Sequence, residues 1–105
     1  MSQEAELDAA SLLAALHDGG VEFIIVGGLA VGAHGYPRAT KDIDIVPGPS
    51  TDNLRRLAAV LADLEYEIVG SDEFEADELV QPDLEGLLGG GSWVLRTRFG
   101  RLDIL

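Results

Sequence analysis

An α/β (α+β) domain, one small mixed sheet with helices packed mainly on one face, is the fold class this sequence predicts. Three observations point there. Apolar residues change period along the chain, from helical spacing in 7–18 and 54–64 to alternating or continuous β-branched runs in 21–26, 41–46 and 92–105. Glycine and proline fall between those segments, at Gly19-Gly20, Pro47-Gly48-Pro49 and Gly89-Gly90-Gly91. A length of 105 residues at 47% hydrophobic content suits one domain, residues 1–105, with a modest core. A sheet covered by helices on one side is the economical way to bury such segments.

Residues 7–18 set Leu12, Leu13 and Leu16 among alanines and stop at Gly19-Gly20, which predicts a first helix. Val21 to Val26 is an apolar run broken only by Glu22, the pattern of a buried strand. Residues 28–35, rich in small side chains, predict a short helix. Pro37 forces an extended approach to a second strand from Lys41 to Val46, ended by Pro47, Gly48 and Pro49. Ser50 or Thr51 then caps a helix in which Leu54, Leu57, Ala58, Leu61 and Leu64 follow the 3.6 period. Tyr66 to Val69 predicts a short strand, and residues 72–88 are acidic with a weak helical pattern. Beyond the triple glycine, Ser92 to Arg98 and Arg101 to Leu105 predict two strands joined at Phe99-Gly100 as a hairpin.

Composition narrows the function classes. The absence of cysteine removes disulfides and thiolate metal sites and fits a reducing cytoplasm. The N-terminus is acidic, unlike a signal peptide, and no apolar run is long enough to span a bilayer. Net charge is −12, and ten acidic residues lie between Asp63 and Glu85 with no Lys, Arg or His among them. Such a surface repels phosphate backbones, which argues against tight nucleic-acid binding by this chain alone. A solvated face or a surface for a basic protein partner are the two readings of that stretch. No Ser-His-Asp set, zinc-ligand spacing or Walker A string is present.

The chemistry gathers in two acidic strands. Asp42 and Asp44 alternate with Ile43 and Ile45, so both carboxylates point the same way, their Cα atoms roughly 6.5–7 Å apart. Side by side they repel unless a cation sits between them, and a hard divalent ion such as Mg²⁺ takes oxygen ligands and shares them with phosphates. The plainer alternative is an edge strand with a solvated acidic face. Asp103, again an acid among apolar residues near a strand end, joins them if its strand pairs beside the first. Two of three converging carboxylates can bridge two Mg²⁺ ions about 3.5–4 Å apart, the arrangement for in-line displacement at phosphorus, with Asp103 binding the second ion or helping to deprotonate the nucleophile. Gly27-Gly28, where a strand hands over to a helix, lets a phosphate approach the backbone, or is simply a tight turn. Arg38 suits bidentate phosphate pairing, Thr40 suits a hydrogen bond to phosphate or the start of a strand, and Lys41 offsets the acids. His34, His17 and Trp93 read as structural.

The order Gly27-Gly28, Asp42-x-Asp44 and a later strand Asp103 resembles the nucleotidyltransferase fold, also called the polymerase-beta-like fold. The string His34-Gly35-x-x-Arg38-x-Thr40-x-Asp42-Ile43-Asp44 and the segment from Trp93 to Leu105 are similar to its AbiEii-type branch, minimal nucleotidyltransferases of toxin–antitoxin and phage-defence systems. The resemblance covers most of residues 20–105. It implies metal-dependent transfer of a nucleoside monophosphate from an NTP to an acceptor hydroxyl, on tRNA or protein, with release of pyrophosphate. It further implies that Gly27 and Gly28 hold the triphosphate, that Asp42 and Asp44 bind Mg²⁺, and that Asp103 completes the catalytic acids. A cognate toxin or antitoxin is the implied protein partner. Family members usually continue well past the third acidic strand, whereas this chain stops two residues after Asp103, so a domain without that C-terminal region is expected. Leu105 is then expected near a raw edge where a second copy pairs as a homodimer. The alternative reading is a catalytically idle nucleotide- or partner-binding domain, antitoxin-like or scaffolding.

Overall fold

Asp8 starts the first helix, α1 (Ala9–Asp18), by accepting hydrogen bonds from the Ser11 amide at 3.1 Å and the Ser11 hydroxyl at 2.6 Å. Those two bonds hold the Asp8 carboxyl below its usual range. The computed structural model describes residues 7–27, 42–70 and 79–105. The helix predicted over 28–35, and Gly28, His34, Arg38, Thr40, Lys41 and residues 72–78 of the acidic segment, lie outside the described residues.

Strands β1 (Phe23–Val26) and β2 (Asp42–Pro47) follow, then α2 (Thr51–Leu64), whose cap is Ser50 accepting from the Asn53 amide. A two-residue strand β3 (Glu67–Ile68) and a short helix α3 (Leu84–Leu88) lead to the hairpin β4 (Trp93–Thr97) and β5 (Gly100–Ile104). Asp83 caps α3 by accepting from the Gly86 amide at 2.9 Å. The sheet order is β1-β2-β5-β4-β3, with β2 and β5 parallel and the other neighbours antiparallel. The α+β class that the periodicity predicts is the class observed.

Register sorts the sheet into two chemically different faces. Ladder partners Ile43–Leu102, Ile45–Ile104 and Leu95–Leu102 share one face and are almost wholly buried. Leu12 and Leu16 of α1, Leu57 and Leu61 of α2, and Leu87 of α3 pack onto that face. Each such leucine contributes about 1.5–3 kcal/mol on burial. The opposite face carries Asp42, Asp44, Arg101, Asp103, Arg96 and Glu67, interleaved with those apolar residues along the same strands.

Asn53 ties three segments under this sheet. Its Oδ1 accepts from the Glu22 amide at 2.6 Å, and its Nδ2 donates to the carbonyls of Glu22 and Gly48 at 2.8 and 2.9 Å. All its hydrogen bonds are internal, as burial of an amide requires. The entry to β1 and the exit of β2 are thereby clamped to the first turn of α2.

Three expectations need correction. β1 is not a buried strand but, among the described residues, an edge strand paired with β2 alone, and Ile24 is 62% exposed beside the partly exposed Val46. Within β1, Phe23 and Ile25 pack toward the core, next to the buried Val21 that precedes the strand, because a strand alternates faces however apolar its run. The hairpin turn is Arg98-Phe99 rather than Phe99-Gly100. Gly100 pairs with Thr97 as the first residue of β5, at φ +116° and with Leu7 Cα 2.8 Å from where a Cβ would sit. Leu105 is not at a raw edge, since β5 lies between β2 and β4 and the Leu105 amide donates to the Ile45 carbonyl at 2.9 Å. Among the described residues the strand edges are β1 and β3. Trp93 is buried as expected, its indole N–H donating to the Val80 carbonyl. Among the described residues no helix is long and apolar enough to cross a membrane.

Candidate metal centre

The centre is built from one parallel ladder. Because β2 alternates, Ile43 and Ile45 fix its inner face in the core, and Asp42 and Asp44 have no choice but the other. Parallel pairing then sets Asp44 directly opposite Asp103, and Asp42 opposite Arg101. One carboxylate oxygen from each of Asp42, Asp44 and Asp103 lies within 4.8 Å of the other two. Asp103 is buried, and Asp42 and Asp44 are half-buried.

Like charges directly opposite on a sheet destabilise it, and Asp44 carries the consequence. Burial first, then the hydrogen bond and charge of Asp42 and those of Asp103, push its carboxyl up to about 6. Asp44 thus sits between two acids that favour a positive charge, or a proton, at its position. Arg101 answers Asp103 with a two-point pair, Nε to Oδ1 at 2.9 Å and Nη2 to Oδ2 at 3.1 Å. Further along the same face Arg96 pairs with Glu67 at 3.5 Å.

Gly27 closes the site from β1. It has φ +78°, and a Cβ built on it would lie 2.5 Å from Asp44 Oδ2, so both the backbone and the space call for glycine. The glycine leaves room for the Asp44 carboxylate beside the end of β1. Among the described residues the donors are three carboxylates, a hard set suited to Mg²⁺, Mn²⁺ or Ca²⁺ rather than zinc or copper. Oxygens around one Mg²⁺ at about 2.1 Å stand about 3 Å apart in cis and about 4.2 Å in trans. A spread within 4.8 Å therefore closes onto an ion by small side-chain rotations. The residues present fit a divalent cation.

Of the residues singled out from sequence, the structure brings together Asp42, Asp44, Asp103 and Gly27. Gly28, Arg38 and Thr40 lie outside the described residues. Arg101 was missed. Its signal was the i, i+2 spacing to Asp103 on a strand, which puts both side chains on the acid face, but only the register shows that this face is shared with β2. A cavity of about 760 Å³ beside Val80, Gln81, Asp83 and Trp93 does not include the acids. Comparisons with protein-family models, curated proteins and solved structures return no match, so the assignment of a role rests on residues and geometry.

Proposed function

We propose that this chain is a metal-dependent nucleotidyltransferase of the polymerase-beta-like fold, in its AbiEii-type branch. It moves a nucleoside monophosphate from an NTP to an acceptor hydroxyl of tRNA or protein and releases pyrophosphate, in the cytoplasm and within a toxin–antitoxin pair. The observation that carries this reading is the convergence of Asp42, Asp44 and Asp103 on one face of the β2–β5 ladder, with an oxygen of each within 4.8 Å of the others. The ordered motif from Gly27 through Asp103 supplies the reaction class.

In this reading Asp42 and Asp44 hold two Mg²⁺ ions. Bound there, the ions supply charge neutralisation on the phosphates and a lowered pKa at the attacking hydroxyl. Asp103 stands at the acceptor side, where it ligates or accepts the proton that the hydroxyl gives up. A bond forms between the acceptor oxygen and the α-phosphorus, the α–β bridging bond breaks, and pyrophosphate takes the electron pair. Gly27 keeps the end of β1 close to Asp44, and Gly28, Arg38 and Thr40 act on the triphosphate.

Calorimetric titration of ATP, GTP, CTP and UTP with Mg²⁺ tests this without knowledge of the acceptor. Metal-dependent binding is expected for the wild type, reduced more than about 100-fold in Asp42→Asn/Asp44→Asn. A well-folded wild type that binds none of the four would sink the enzyme reading and leave a partner-binding scaffold.

A further inference from the structure

Among the described residues Arg101 and Asp103 make a close ion pair on the acid face, and it is an unusual one for a metal ligand. The guanidinium fork engages both oxygens of Asp103, at 2.9 and 3.1 Å. Each carboxylate oxygen offers two lone-pair directions, and a fork of this kind takes one from each. The Asp103 side chain is 11% exposed and held in a central strand, whereas the Arg101 side chain is 40% exposed on a long stem. Of the two, the arginine is the one with water to move into.

Its neighbours give it reasons to sit where it does and reasons to leave. On β4 the residue opposite Arg101 is Arg96, a like charge, which favours leaning away along its own strand toward Asp103. On β2 the residue opposite is Asp42, a second carboxylate of the triad. A divalent ion held by Asp103 would bring a second positive charge to the carboxylate that the guanidinium already neutralises, and the two cations would repel.

Resting on the metal centre proposed above, we infer that Arg101 is a built-in counter-cation of the triad. It holds Asp103 while no ion is bound and yields one or both oxygens when a divalent ion enters. Arginine and metal are therefore competitors for one carboxylate, and Arg101 is a positioning residue rather than a catalytic one.

The test is Mn²⁺ titration by calorimetry at pH 7 on the wild type, Arg101→Gln and Arg101→Lys, with Asp42→Asn as the site control and melting curves with and without Mn²⁺. Removing a unit charge a few ångströms from a divalent ion in a largely aqueous setting is worth roughly tenfold in affinity. Arg101→Gln is expected to bind Mn²⁺ roughly tenfold tighter, to melt lower without metal, and to gain more from saturating Mn²⁺ than the wild type. Arg101→Lys, which keeps the charge but not the fork, is expected to fall between, and it decides the matter if Arg101→Gln does not fold. A purely structural arginine would lower the melting temperature without tightening Mn²⁺. Unchanged or weaker Mn²⁺ binding in the folded variants, with wild-type binding intact, overturns the inference and leaves the metal centre standing. Absence of Mn²⁺ binding in the wild type and in both variants overturns the metal centre and the inference together.

Discussion

Gly27 and Gly90 have almost the same backbone, φ +78° and +79°, and different surroundings. A Cβ on Gly27 would meet Asp44 Oδ2 at 2.5 Å, and one on Gly90 would meet nothing within 4 Å. The pair therefore separates two reasons for glycine that are usually confounded. Gly90→Ala is expected to cost about 1 kcal/mol, the strain of a left-handed alanine, with no change in Mn²⁺ affinity. Gly27→Ala carries the same strain and also drives Asp44 from its place, so it is expected to cost more in stability and to weaken Mn²⁺ binding about tenfold or more. Equal Mn²⁺ affinity in the two variants, measured by calorimetry, would mean that Gly27 has no part in the metal centre. Asp44 and Asp103 were legible because a strand allows only two directions, and an acid between two buried isoleucines or leucines has one left; Asp42 follows by alternation with Ile43 and Asp44. Asn53 was not legible. A polar residue three positions after a capping serine reads as a solvated first turn, and only the approach of Glu22 and Gly48 makes it a buried clamp.

Helix α2 ends on Glu65 at φ +53°, the one non-glycine residue with positive φ among those described. Two effects there have the same sign. A left-handed non-glycine residue costs about 1 kcal/mol, and a carboxylate at a helix C-terminus opposes the macrodipole, with no basic residue in the last turn to offset it. Glu65→Gly is thus expected to raise stability by about 0.5–1 kcal/mol, several degrees in melting temperature for a domain of this size. A lower melting temperature would show that the wider freedom of glycine in the unfolded chain outweighs both. The strands show where pattern reading stops. β2 was clear because acids and isoleucines alternate. β1 was misread as buried because its outward residues are also apolar, and only the pairing partners reveal an edge. β5 ends the chain but sits in the sheet's interior, a property of topology that no local run of residues encodes.

Across the whole chain, the net charge of −12 means that acidification relieves general repulsion, and the triad adds a specific contribution of the same sign. Asp44 has its carboxyl raised from 3.8 to about 6 by burial and by Asp42 and Asp103. Its protonated form therefore favours the folded state. That stability is fully present below about pH 4 and is lost as pH rises through about 6. Because the carboxylate is partly in water, screening reduces the effect to the order of 1 kcal/mol. The metal-free wild type is expected to melt lower at pH 7 than at pH 5. Asp44→Asn should keep the part of that slope that comes from general repulsion and lose the part that belongs to the triad. Mg²⁺ is expected to reverse the order at pH 7, since an ion at 100 times its dissociation constant stabilises the state that binds it by about 2.7 kcal/mol. Melting temperatures for both proteins at pH 5 and 7, with and without Mg²⁺, separate these contributions. Identical pH slopes in the two metal-free proteins would show that Asp44 carries no unusual charge burden. A Mg²⁺ gain of the same size in Asp44→Asn would place the ion elsewhere on this acidic surface.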